Sequence, residues 1–455
     1  MFKIGSIFKK NDIRGVYPTE LDESIAMKIG YIFGKKIGEE KNVVLAGDCR
    51  ISTPSIKTAI IHGLNAAGVN TFDMGMGPTP MVYFIAKTVD FIDAGIIVTA
   101  SHNPKQYNGI KICDSEGLSY NDVSLFNEIK LQLNEVNVAA NNAKNLNNDG
   151  LDLANQYFTY LSDNFELRNK IRVIVDYGNG AVGEFSAVLE NIGCDVTSIR
   201  REPNGDFPSI IPDPTKEKTF GEIKSKFNTG VYDIGIAFDT DGDRVGFMTP
   251  KNTIISPDLI VMLFGEYIMR EKEAGIIIFD LKMSKASADF LEEKGVKIEY
   301  SQTGHSWVHK KLIETQADLA AELSCHYYFE NGYYGFDDGL YSALRFLLIL
   351  DQLISDGNDI DSKLNDLPKY HSTPEYRVKM PYGVQDTIIE KLKDYTQSRS
   401  GKIIDLDGVR GEFDDGWFIA RKSGTEEALS YRIESKTEDG FINLKQDVLE
   451  IINNR

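Results

Sequence analysis

The sequence predicts an α/β protein made of three topologically similar α/β domains with mixed sheets, followed by a smaller C-terminal α+β domain. Two observations support this fold class. A short apolar run ends at an aspartate three times, at Asp48, Asp176 and Asp280, and each run is followed by an amphipathic segment and a glycine. A chain of 455 residues is also long enough for about three domains of ordinary size. A β-α-β unit that recurs three times indicates three related domains and leaves a C-terminal remainder that is built differently.

The elements of each unit follow from the distribution of apolar and turn-forming residues. The apolar runs are short and bounded by turn residues, which is typical of buried strands in a mixed or parallel sheet. The amphipathic segments have helical spacing and end at glycine, a residue that commonly ends helices. Each glycine leads into a second apolar run. The predicted helices and their glycines are 54–67 with Gly68, 183–192 with Gly193, and 284–294 with Gly295.

Two segments with few core-forming residues are candidate linkers. The first, 134–150, is rich in asparagine, and the second, 366–374, contains two prolines. The residues that follow, 375–455, lack the repeated unit and predict the smaller α+β domain. The boundary between the second and third units is placed near Pro250, between two apolar stretches. The expected domains are domain I at 1–149, domain II at 150–250, domain III at 251–368 and domain IV at 369–455.

Composition and charge exclude several classes of protein. The chain has 50 Lys plus Arg against 68 Asp plus Glu, a net charge of −18, and no Lys/Arg-rich block, so we expect no nucleic-acid partner. The longest apolar run, around Phe346 to Leu350, stops at Asp351 and is too short to span a membrane. Four scattered cysteines without a C-x-x-C pair fit a reducing cytoplasm. We therefore expect a cytoplasmic protein whose acidic exterior repels anions unless a site concentrates positive charge.

A glycine-rich segment follows the second repeated strand. The residues GNGAVG at 178–183 match G-x-G-x-x-G between a strand and a helix, with Glu202 about 20 residues further on. This pattern is typical of a dinucleotide site and so permits a nicotinamide-dependent oxidoreductase. A tight strand-to-helix turn needs the same small residues, and we favour it because the fingerprint explains no other feature of the chain.

The segment IAFDTDGDRV carries three acidic residues directly after an apolar run. Asp239, Asp241 and Asp243 alternate, which in extended backbone places their carboxylates on one side. Three close like charges repel one another unless a cation neutralises them, and all-oxygen ligation favours a hard ion such as Mg²⁺. An EF-hand is excluded because Arg244 and Pro250 stand where that loop needs glycine and an acid. A solvated acidic loop is the alternative, although Arg244 beside the acids suits a bound anion.

The segment TASHNP, at 99–104, follows another apolar run and presents Ser101 at a turn that Asn103 and Pro104 enforce. Lys111 follows in the next apolar stretch. These residues are typical of an exposed, reactive hydroxyl. The alternative is a capped turn in which Ser101 and Asn103 bond only to nearby backbone groups.

Three further segments could recognise phosphate or hydroxyl groups. RKSGTEEALSYR, at 421–432, offers an arginine fork, hydroxyls and a glycine that frees backbone N–H groups, a combination that suits a phosphate dianion. AELSCH places Glu322, Ser324 and His326 at alternating positions, so they could face one ligand. TGHS brings His305 with a hydroxyl on either side. Each segment alone is a weak signal, because histidine in a core or on a surface is commoner than catalytic histidine.

Taken together, TASHNP, DTDGDR, the E-x-S-x-H stretch and RKSGT resemble, in that order, the motifs of the α-D-phosphohexomutase superfamily. Within it the chain is most similar to the bacterial phosphomannomutase/phosphoglucomutase type. The resemblance covers essentially the whole chain, with one motif in each expected domain, and it explains the glycine-rich segment as a turn of the family. Supporting matches are NDIRG at 11–15, GDCRIS at 47–52, GPTP at 77–80, DYGNGA at 176–181 and GFDDGLYSA at 335–343.

The resemblance implies a mutase that interconverts hexose 1-phosphate and hexose 6-phosphate. It implies that Ser101 is a phosphoserine in the active enzyme and that a hexose 1,6-bisphosphate is both intermediate and activator. The implied ligands of one Mg²⁺ are Asp239, Asp241, Asp243 and a phosphate oxygen on Ser101. The other implied catalytic residues are Arg14, Lys111, Arg244 and His305. For the proton at the reacting hydroxyl, His305 with Lys111 is preferred and His326 is a further candidate.

Matching positions also give substrate-binding residues. Glu322 and Ser324 are expected to hydrogen-bond sugar hydroxyls, with His326 in the same loop. The residues expected at the distal phosphate are Arg421, Ser423, Gly424 and Thr425, with Lys282 and Arg432 nearby. We expect these groups and the catalytic cations to converge from all four domains around a central cleft, with the linker near Pro368 as a hinge.

Departures from the family pattern leave alternatives open. Cys325 and Ala321 replace the usual small residues around Glu322, which blurs the sugar preference. Phosphoglucosamine mutase is the nearest alternative, although Leu323 beside Glu322 favours the mannose/glucose type. A sugar-phosphate-binding regulator with an inactive site is an alternative that is not an enzyme. We expect sugar phosphates as small-molecule partners and a monomer or weak homodimer.

Overall fold

The computed structural model describes residues 7–9, 12–120, 123–138, 147–270, 272–423 and 427–453. The chain forms two compact units. Unit 1 comprises Met1–Ile255 and Ser324–Asp361, and unit 2 comprises Ser256–Leu323 and Ser362–Arg455. Mixed α/β sheets and a further, sheet-rich C-terminal part confirm the predicted fold class.

Strands and helices alternate along most of the chain. The strands are β1 (Ile13–Val16), β2 (Asn42–Gly47), β3 (Asn70–Met76), β4 (Ala94–Val98), β5 (Tyr107–Asp114), β6 (Asn147–Asp149), β7 (Arg172–Asp176), β8 (Asp195–Ile199), β9 (Ile234–Phe238), β10 (Val245–Met248), β11 (Ile254–Ile255), β12 (Gly275–Asp280), β13 (Val296–Ser301), β14 (Leu319–Ala321), β15 (Tyr327–Phe329), β16 (His371–Ser372), β17 (Tyr376–Lys379), β18 (Lys402–Ile404), β19 (Val409–Glu412), β20 (Gly416–Lys422) and β21 (Ala428–Ser435). The α-helices are α1 (Glu23–Ile37), α2 (Thr53–Ala66), α3 (Thr79–Thr88), α4 (Val123–Gln132), α5 (Leu151–Asp163), α6 (Phe185–Asn191), α7 (Gly221–Phe227), α8 (Pro257–Ile268), α9 (Lys285–Glu292), α10 (His305–Thr315), α11 (Gly339–Ser355), α12 (Ile360–Asp366), α13 (Tyr382–Ser398) and α14 (Glu438–Asn453). A short 3₁₀ helix, Glu217–Phe220, precedes α7.

The three repeated units of the sequence are present as parallel strand pairs joined by helices. β2 pairs with β3, β7 with β8, and β12 with β13, each in parallel, and α2, α6 and α9 connect them. The first strands of the pairs, β2, β7 and β12, are largely buried because each lies between two other strands of its sheet with helices packed on it. The predicted β-α-β pattern is therefore confirmed.

Unit 1 contains two mixed sheets. In the first, the strand order is β1-β5-β4-β2-β3-β6; β5 is antiparallel to its neighbours β1 and β4, and the remaining pairs are parallel. In the second, the order is β11-β10-β9-β7-β8, and β9, β10 and β11 are antiparallel. The loops that leave β4 and β9 carry the serine and the three aspartates singled out in the sequence.

Two glycines let α1 and α2 pack closely in unit 1. A Cβ on Gly30 would lie 2.4 Å from the carbonyl oxygen of Ile60, and a Cβ on Gly63 would lie 2.0 Å from that of Met27. Both distances are too short for a real Cβ atom. The helices can therefore approach only because both positions lack a Cβ.

Polar side chains fix where several helices begin. Asp22, Ser284 and Asp338 each accept a hydrogen bond from a backbone N–H in the first turn of α1, α9 and α11, respectively. These caps satisfy N–H groups that have no partner inside the helix. Each capping residue therefore fixes the position at which a loop ends and a helix begins.

Unit 2 joins a parallel sheet to an antiparallel one. β12 lies between β13 and β14 in parallel register, with α8, α9 and α10 packed against these strands. The antiparallel sheet has the order β16-β21-β20-β19-β18, with β17 also paired to β21, and α13 and α14 pack on it. A separate hydrophobic core that includes Leu392, Phe418 and Val448 lies between this sheet and its helices.

A buried arginine joins these two parts of unit 2. The Arg410 side chain is fully buried, and its Nη1 donates to the carbonyl oxygens of Leu281 and Met283, both at 2.7 Å. The guanidinium carbon lies 3.7 Å from the centre of the Trp417 ring and 4.5 Å from that of Tyr300. Arg410 therefore anchors the antiparallel sheet to the loop that follows β12.

Candidate active site

Ser101 lies in the loop between β4 and β5 and is almost fully buried. Its φ of 47° lies in the left-handed region, and its backbone N–H donates to Thr99 Oγ1 at 2.9 Å. Its hydroxyl donates to Asp239 Oδ2 at 2.8 Å and lies 3.0 Å from His102 Nδ1. A non-glycine residue rarely adopts this φ, and here it presents the hydroxyl to the acidic loop.

The three predicted carboxylates lie together in the turn between β9 and β10. Ligand atoms of Asp239, Asp241 and Asp243 all lie within 4.8 Å of one another, and all three side chains are buried. Gly242, with φ 72°, makes this turn possible. In the described part of the chain, Oδ1 of Asp241 and Oδ1 of Asp243 are buried without a hydrogen-bond donor. Buried oxygens that lack donors, in an all-carboxylate set, fit a hard divalent cation.

Burial and mutual repulsion shape the protonation of this group. Burial, together with the charges of Asp243 and Asp241, raises the pKa of Asp239 well above its usual value. Burial also acts to raise the pKa values of Asp241 and Asp243. Lys111, helped by Thr79 at Asp241 and by His326 and Arg244 at Asp243, outweighs it and holds both pKa values below the usual range. A divalent cation would relieve the repulsion among the three carboxylates.

Three predicted cations surround the serine and the carboxylates. Lys111 Nζ donates to Asp241 Oδ2 at 2.9 Å and to Asp243 Oδ2 at 2.5 Å. The guanidinium of Arg244 lies 3.9 Å from carboxylate oxygens of Asp239 and Asp243. The third cation, Arg14, is held by the segment that contains Ser101, residues 99–107, here called the serine loop. Arg14 Nη1 donates to the side-chain oxygen of Asn103 at 2.9 Å, and Arg14 also pairs with Asp12. The unit thus places positive charge on two sides of Ser101.

His326 lies beside Arg244 rather than alone in its loop. Arg244 Nε lies 3.1 Å from His326 Nε2. On the other side of the ring, Nδ1 lies 2.9 Å from Ser324 Oγ. Nε2 is also 3.5 Å from Asp243 Oδ1. The structure therefore brings His326 and Ser324 next to the acidic loop of unit 1.

Several residues of this site were not singled out from the sequence. The positive charge of Arg244 and burial lower the pKa of His102 to about 3, so His102 is neutral beside the serine. The Thr79 hydroxyl donates to Asp241 Oδ2 and the Thr79 backbone N–H donates to the backbone oxygen of the same residue, both at 2.7 Å. His102 adjoins Ser101 in the same motif and Thr79 lies in GPTP, so both segments were available as signals. Asp213, 4.0 Å from Arg244 Nη1, was not singled out either.

A second group of predicted residues lies in unit 2. Lys282 Nζ lies 3.6 Å from Asp280 Oδ2 and 3.6 Å from Glu375 Oε2. Burial acts to lower the pKa of Lys282, but these two carboxylates outweigh it and raise the pKa. Arg421 donates to Asp407 Oδ2 through Nε at 3.0 Å and Nη2 at 2.8 Å. Both cations are thus held in place by carboxylates.

The remaining predicted residues of unit 2 have different surroundings. Arg432 donates to Asp258 Oδ2 at 2.7 Å and to the carbonyl oxygen of Lys282 at 2.6 Å, so its guanidinium holds the backbone of the lysine loop. Glu322 is buried just after β14, and its charge acts on the pKa of Lys282. His305 begins α10. Ser423 is described at the end of β20, whereas Gly424 and Thr425 lie outside the described residues.

The glycine-rich segment 178–183 is explained by packing. A Cβ on Gly180 would lie 2.5 Å from the carbonyl oxygen of Thr240, and one on Gly183 would lie 2.7 Å from that of Arg201. The glycines therefore serve close backbone contacts around a tight turn, as the favoured interpretation predicts. Among the described residues, no helix combines the length and apolarity needed to cross a membrane.

Comparison with known proteins agrees with this geometry. Models of the phosphoglucomutase/phosphomannomutase alpha/beta/alpha domains I, II and III match residues 5–137, 155–252 and 256–370. A phosphomannomutase/phosphoglucomutase of Pseudomonas syringae pv. tomato is 34% identical over 95% of this chain and 92% of its own length. A phosphoglucomutase of Neisseria meningitidis serogroup A is 31% identical over 98% of this chain and 96% of its own length.

A solved structure leads to the same result. The crystal structure of a phosphoglucomutase/phosphomannomutase family protein from Burkholderia thailandensis superposes with a TM-score of 0.89 at 33% identity, covering 99% of this chain and 98% of that one. The resemblance inferred from the motifs is confirmed, and the oxidoreductase alternative is not supported. The chain belongs to the phosphoglucomutase/phosphomannomutase family of the α-D-phosphohexomutase superfamily and is an enzyme of the mutase class.

Proposed function

We propose that this enzyme interconverts hexose 1-phosphates and hexose 6-phosphates, with mannose and glucose phosphates as its substrates. The position of Ser101 carries the proposal. Its Oγ lies 2.8 Å from Asp239 Oδ2, next to two further buried carboxylates and to the cations Lys111 and Arg244. A hydroxyl in these surroundings can accept and return a phosphoryl group, because phosphoryl transfer depends mainly on positioning and charge neutralisation. The names of the relatives support the choice of hexose phosphates.

The reaction consists of two phosphoryl transfers. Phosphoserine at Ser101 gives its phosphoryl group to the free hydroxyl of a hexose monophosphate. The bond from phosphorus to Ser101 Oγ breaks, a bond to the sugar oxygen forms, and the proton of the sugar hydroxyl passes to a base while Oγ regains one. The resulting hexose 1,6-bisphosphate reorients and returns its other phosphoryl group to Ser101. Bisphosphate from solution also phosphorylates a free Ser101, which makes it the activator.

The charges around Ser101 suit this transfer. The ligands we assign to Mg²⁺ are Asp239, Asp241, Asp243 and a phosphate oxygen on Ser101. When bound, the ion would neutralise the carboxylates and withdraw charge from the transferring group. Lys111 and Arg244 supply fixed positive charge beside the same oxygens, and Arg14 steadies the serine loop through Asn103.

The proton of the reacting sugar hydroxyl needs a side chain whose nitrogen can accept it. We assign it first to His305 with Lys111, and second to His326. The ring of His326, with Nε2 toward Arg244, could accept a proton once its arginine partner turns to a phosphate. Separate replacement of each histidine by glutamine and comparison of the pH profiles of kcat distinguishes them.

The phosphate that is not being transferred needs a second set of cations. We assign it to a group of residues supported by the buried ion pairs of Lys282 and Arg421, which keep two cations preorganised. This group is Arg421, Ser423, Gly424, Thr425, Lys282 and Arg432. Glu322 and Ser324, with His326, are assigned to the sugar hydroxyls, because a site that pairs a hydroxyl rejects analogues that lack it.

We further propose the wider setting of the enzyme. The four-domain division at 149/150, 250/251 and 368/369 is retained, together with a monomer or weak homodimer. A cytoplasmic location is supported by four free cysteines, three of them buried and none paired in a disulfide among the described residues. The net charge of −18 supports a partner set of small sugar phosphates without nucleic acid.

The test is the Ser101→Ala protein, compared with wild type and with Ser186→Ala. Ser186 is equally buried but lies in α6 and is hydrogen-bonded to Glu190. We expect intact-mass analysis to find one phosphate on wild type and on Ser186→Ala after incubation with glucose 1,6-bisphosphate, and none on Ser101→Ala. Mutase turnover should fall by several orders of magnitude in Ser101→Ala alone.

Two further outcomes separate the alternatives. Undiminished turnover of Ser101→Ala refutes the phosphoserine assignment. Tight binding of sugar phosphate by wild type without turnover identifies the inactive regulator instead. Turnover of mannose, glucose and glucosamine phosphates, each with trace 1,6-bisphosphate, decides the sugar.

A further inference from the structure

We propose that Arg50, in the loop after β2, is a positioning residue that fixes Ser101 for phosphoryl transfer. The inference rests on the proposed role of Ser101 as the phosphorylated residue. Arg50 is 1% exposed and lies too deep to meet substrate. Its guanidinium instead lies directly beneath the serine loop, and the hydrogen bonds below determine what it does there.

All five N–H donors of the guanidinium are used. Nε donates to Asp48 Oδ2 at 3.0 Å. The four remaining N–H groups go to four backbone carbonyl oxygens of the serine loop. These are Ser101 O at 2.5 Å and Asn103 O at 2.7 Å from Nη2, and Pro104 O at 2.9 Å and Tyr107 O at 3.0 Å from Nη1. The Arg50 side chain thus binds four carbonyl groups within seven consecutive residues and orients all of them toward its guanidinium.

This convergence explains how the loop keeps its shape. Four carbonyl dipoles that point at one buried spot repel one another unless a cation lies among them. Ser101 also has a φ of 47°, a conformation that costs on the order of 1 kcal/mol for a residue with a Cβ. The loop therefore needs an interaction that outweighs both costs, and Arg50 supplies it at the serine carbonyl itself.

A second chain of hydrogen bonds reaches Ser101 from the same ion pair. Asp48 Oδ2 accepts from Thr99 Oγ1 at 2.8 Å, and Thr99 Oγ1 accepts from the backbone N–H of Ser101 at 2.9 Å. Asp48 and Arg50 thus hold Ser101 at both its N–H and its carbonyl group. With both backbone groups held, the Cα–Cβ bond of Ser101 has a fixed position, from which the hydroxyl reaches Asp239 at 2.8 Å.

Arg50 is also braced by the part of unit 1 that carries the acidic loop. The ring of Phe207 lies 5.4 Å from its guanidinium carbon. Gly205 lies so close that a Cβ there would be 2.5 Å from the carbonyl oxygen of Cys49 and 2.7 Å from the N of Ile51. The arginine therefore sets the serine loop relative to the chain that leads into β9 and its aspartates.

Lysine cannot replace this arginine, because its ammonium has three donors and no planar fork. A serine hydroxyl displaced by about 1 Å is expected to lose on the order of 100-fold in rate. We therefore expect Arg50→Lys to lower kcat by about 100-fold, while KM for the hexose phosphate changes by less than about threefold, because the groups assigned to the distal phosphate are untouched.

The matched control is Arg200→Lys. Arg200 also has a buried side chain, paired with the aspartate that ends a repeated strand, Asp176. Its other contacts are the carbonyl oxygen of Thr219 and Glu222, 3.9 Å away, instead of the serine loop. We expect it to lose stability and to keep kcat. Amide hydrogen exchange of 99–107 is measured in both variants, where the N–H groups of Asn103 and Tyr107 report the loop.

The outcomes are distinct. Faster exchange of 99–107 and a loss in kcat, both specific to Arg50→Lys, support the inference. Wild-type kcat and exchange in Arg50→Lys overturn it, as does an equal loss of kcat in Arg200→Lys. Turnover retained by Ser101→Ala refutes the proposed function instead, while the exchange result still reports whether Arg50 holds the loop.

Discussion

Replacement of Arg410 by methionine should destabilise unit 2 strongly. The guanidinium is fully buried, donates to the carbonyl oxygens of Leu281 and Met283, and pairs with Glu412 at 2.7 Å. It also lies against the faces of Trp417 and Tyr300. Methionine fills a similar volume but offers no donor, so two carbonyl groups and one carboxylate lose their partner.

The size of the effect follows from the burial of the acceptors. Removal of one partner of a buried ion pair costs about 3–5 kcal/mol, because the other charge stays desolvated. The side chain of Glu412 is 11% exposed, so water relieves part of this cost and the lower end of that range is expected. At roughly 2–4 °C per kcal/mol for a domain of 150–250 residues, the apparent melting temperature should fall by about 6–12 °C.

Thermal unfolding followed by circular dichroism measures this difference. Arg399→Met is the control, because Arg399 also stacks on aromatic rings, those of Tyr395 and Phe413, but is 43% exposed and should lose less than about 1 kcal/mol. A double variant, Arg410→Met with Glu412→Gln, should regain part of the loss because no charge is left unpaired. Melting of Arg410→Met within 2 °C of wild type, or a double variant less stable than the single one, would refute the reasoning.

Other buried groups lead to three further predictions. Burial raises the pKa of Asp338 to about 6, so the folded state binds this proton more tightly than the unfolded state and loses stability as the pH rises from about 4 to about 6. The stability of Asp338→Asn relative to wild type, measured by urea titration, should therefore increase by on the order of 2–3 kcal/mol across that range. A stability difference that does not change with pH would contradict this. Gly63→Ala should lower the free energy of unfolding by on the order of 1–3 kcal/mol. The control is Gly383→Ala in α13, where a Cβ meets nothing within 4 Å, and this variant should melt no earlier than wild type. Equal melting temperatures of the two variants would argue against the close helix contact. Mg²⁺ at 100 times its Kd should stabilise wild type against unfolding by about 2.7 kcal/mol and should not stabilise Asp241→Asn. The metal assignment fails if Mg²⁺ stabilises both proteins or neither of them.

The parts of the site that could be predicted are those whose chemistry lies in one short segment. Ser101 and the three aspartates each follow an apolar strand directly, so the strand pattern and the side chains appear together in the sequence. Their meeting follows from the fold, because the loops after β4 and β9 face each other within unit 1, as the bond from Ser101 to Asp239 shows. Local patterns therefore predicted the groups that the structure brings together around Ser101.

The supporting residues could not be predicted, for a physical reason. Arg50 bonds mainly to carbonyl oxygens, which every residue has, so no side-chain pattern marks its partners. Arg432 was assigned to phosphate from its place in a motif, yet its carboxylate partner, Asp258, lies 174 residues away. Contacts between distant segments depend on packing that a single sequence does not display.

The grouping of the chain into two units has the same cause. The segment Ser324–Asp361 returns to unit 1, where Phe346 of α11 stacks on Phe247 of β10 with ring centres 4.1 Å apart. The chain thus leaves unit 1 after Ile255 and comes back to it at Ser324. Sequence patterns give the order of elements, whereas their grouping depends on which buried faces match.

The contacts of Lys111 have a consequence for which ion the acidic loop can hold. Asp241 and Asp243 each give one oxygen to the lysine and keep another that has no donor in the described part of the chain. Arg244, 3.9 Å from oxygens of Asp239 and Asp243, adds a second positive charge, so three ionised carboxylates with both cations leave one negative charge. A phosphate on Ser101 would add further negative charge for a divalent cation to balance. Lys111 thus occupies one oxygen of two carboxylates and leaves the other oxygen of each to a hard, oxygen-preferring ion.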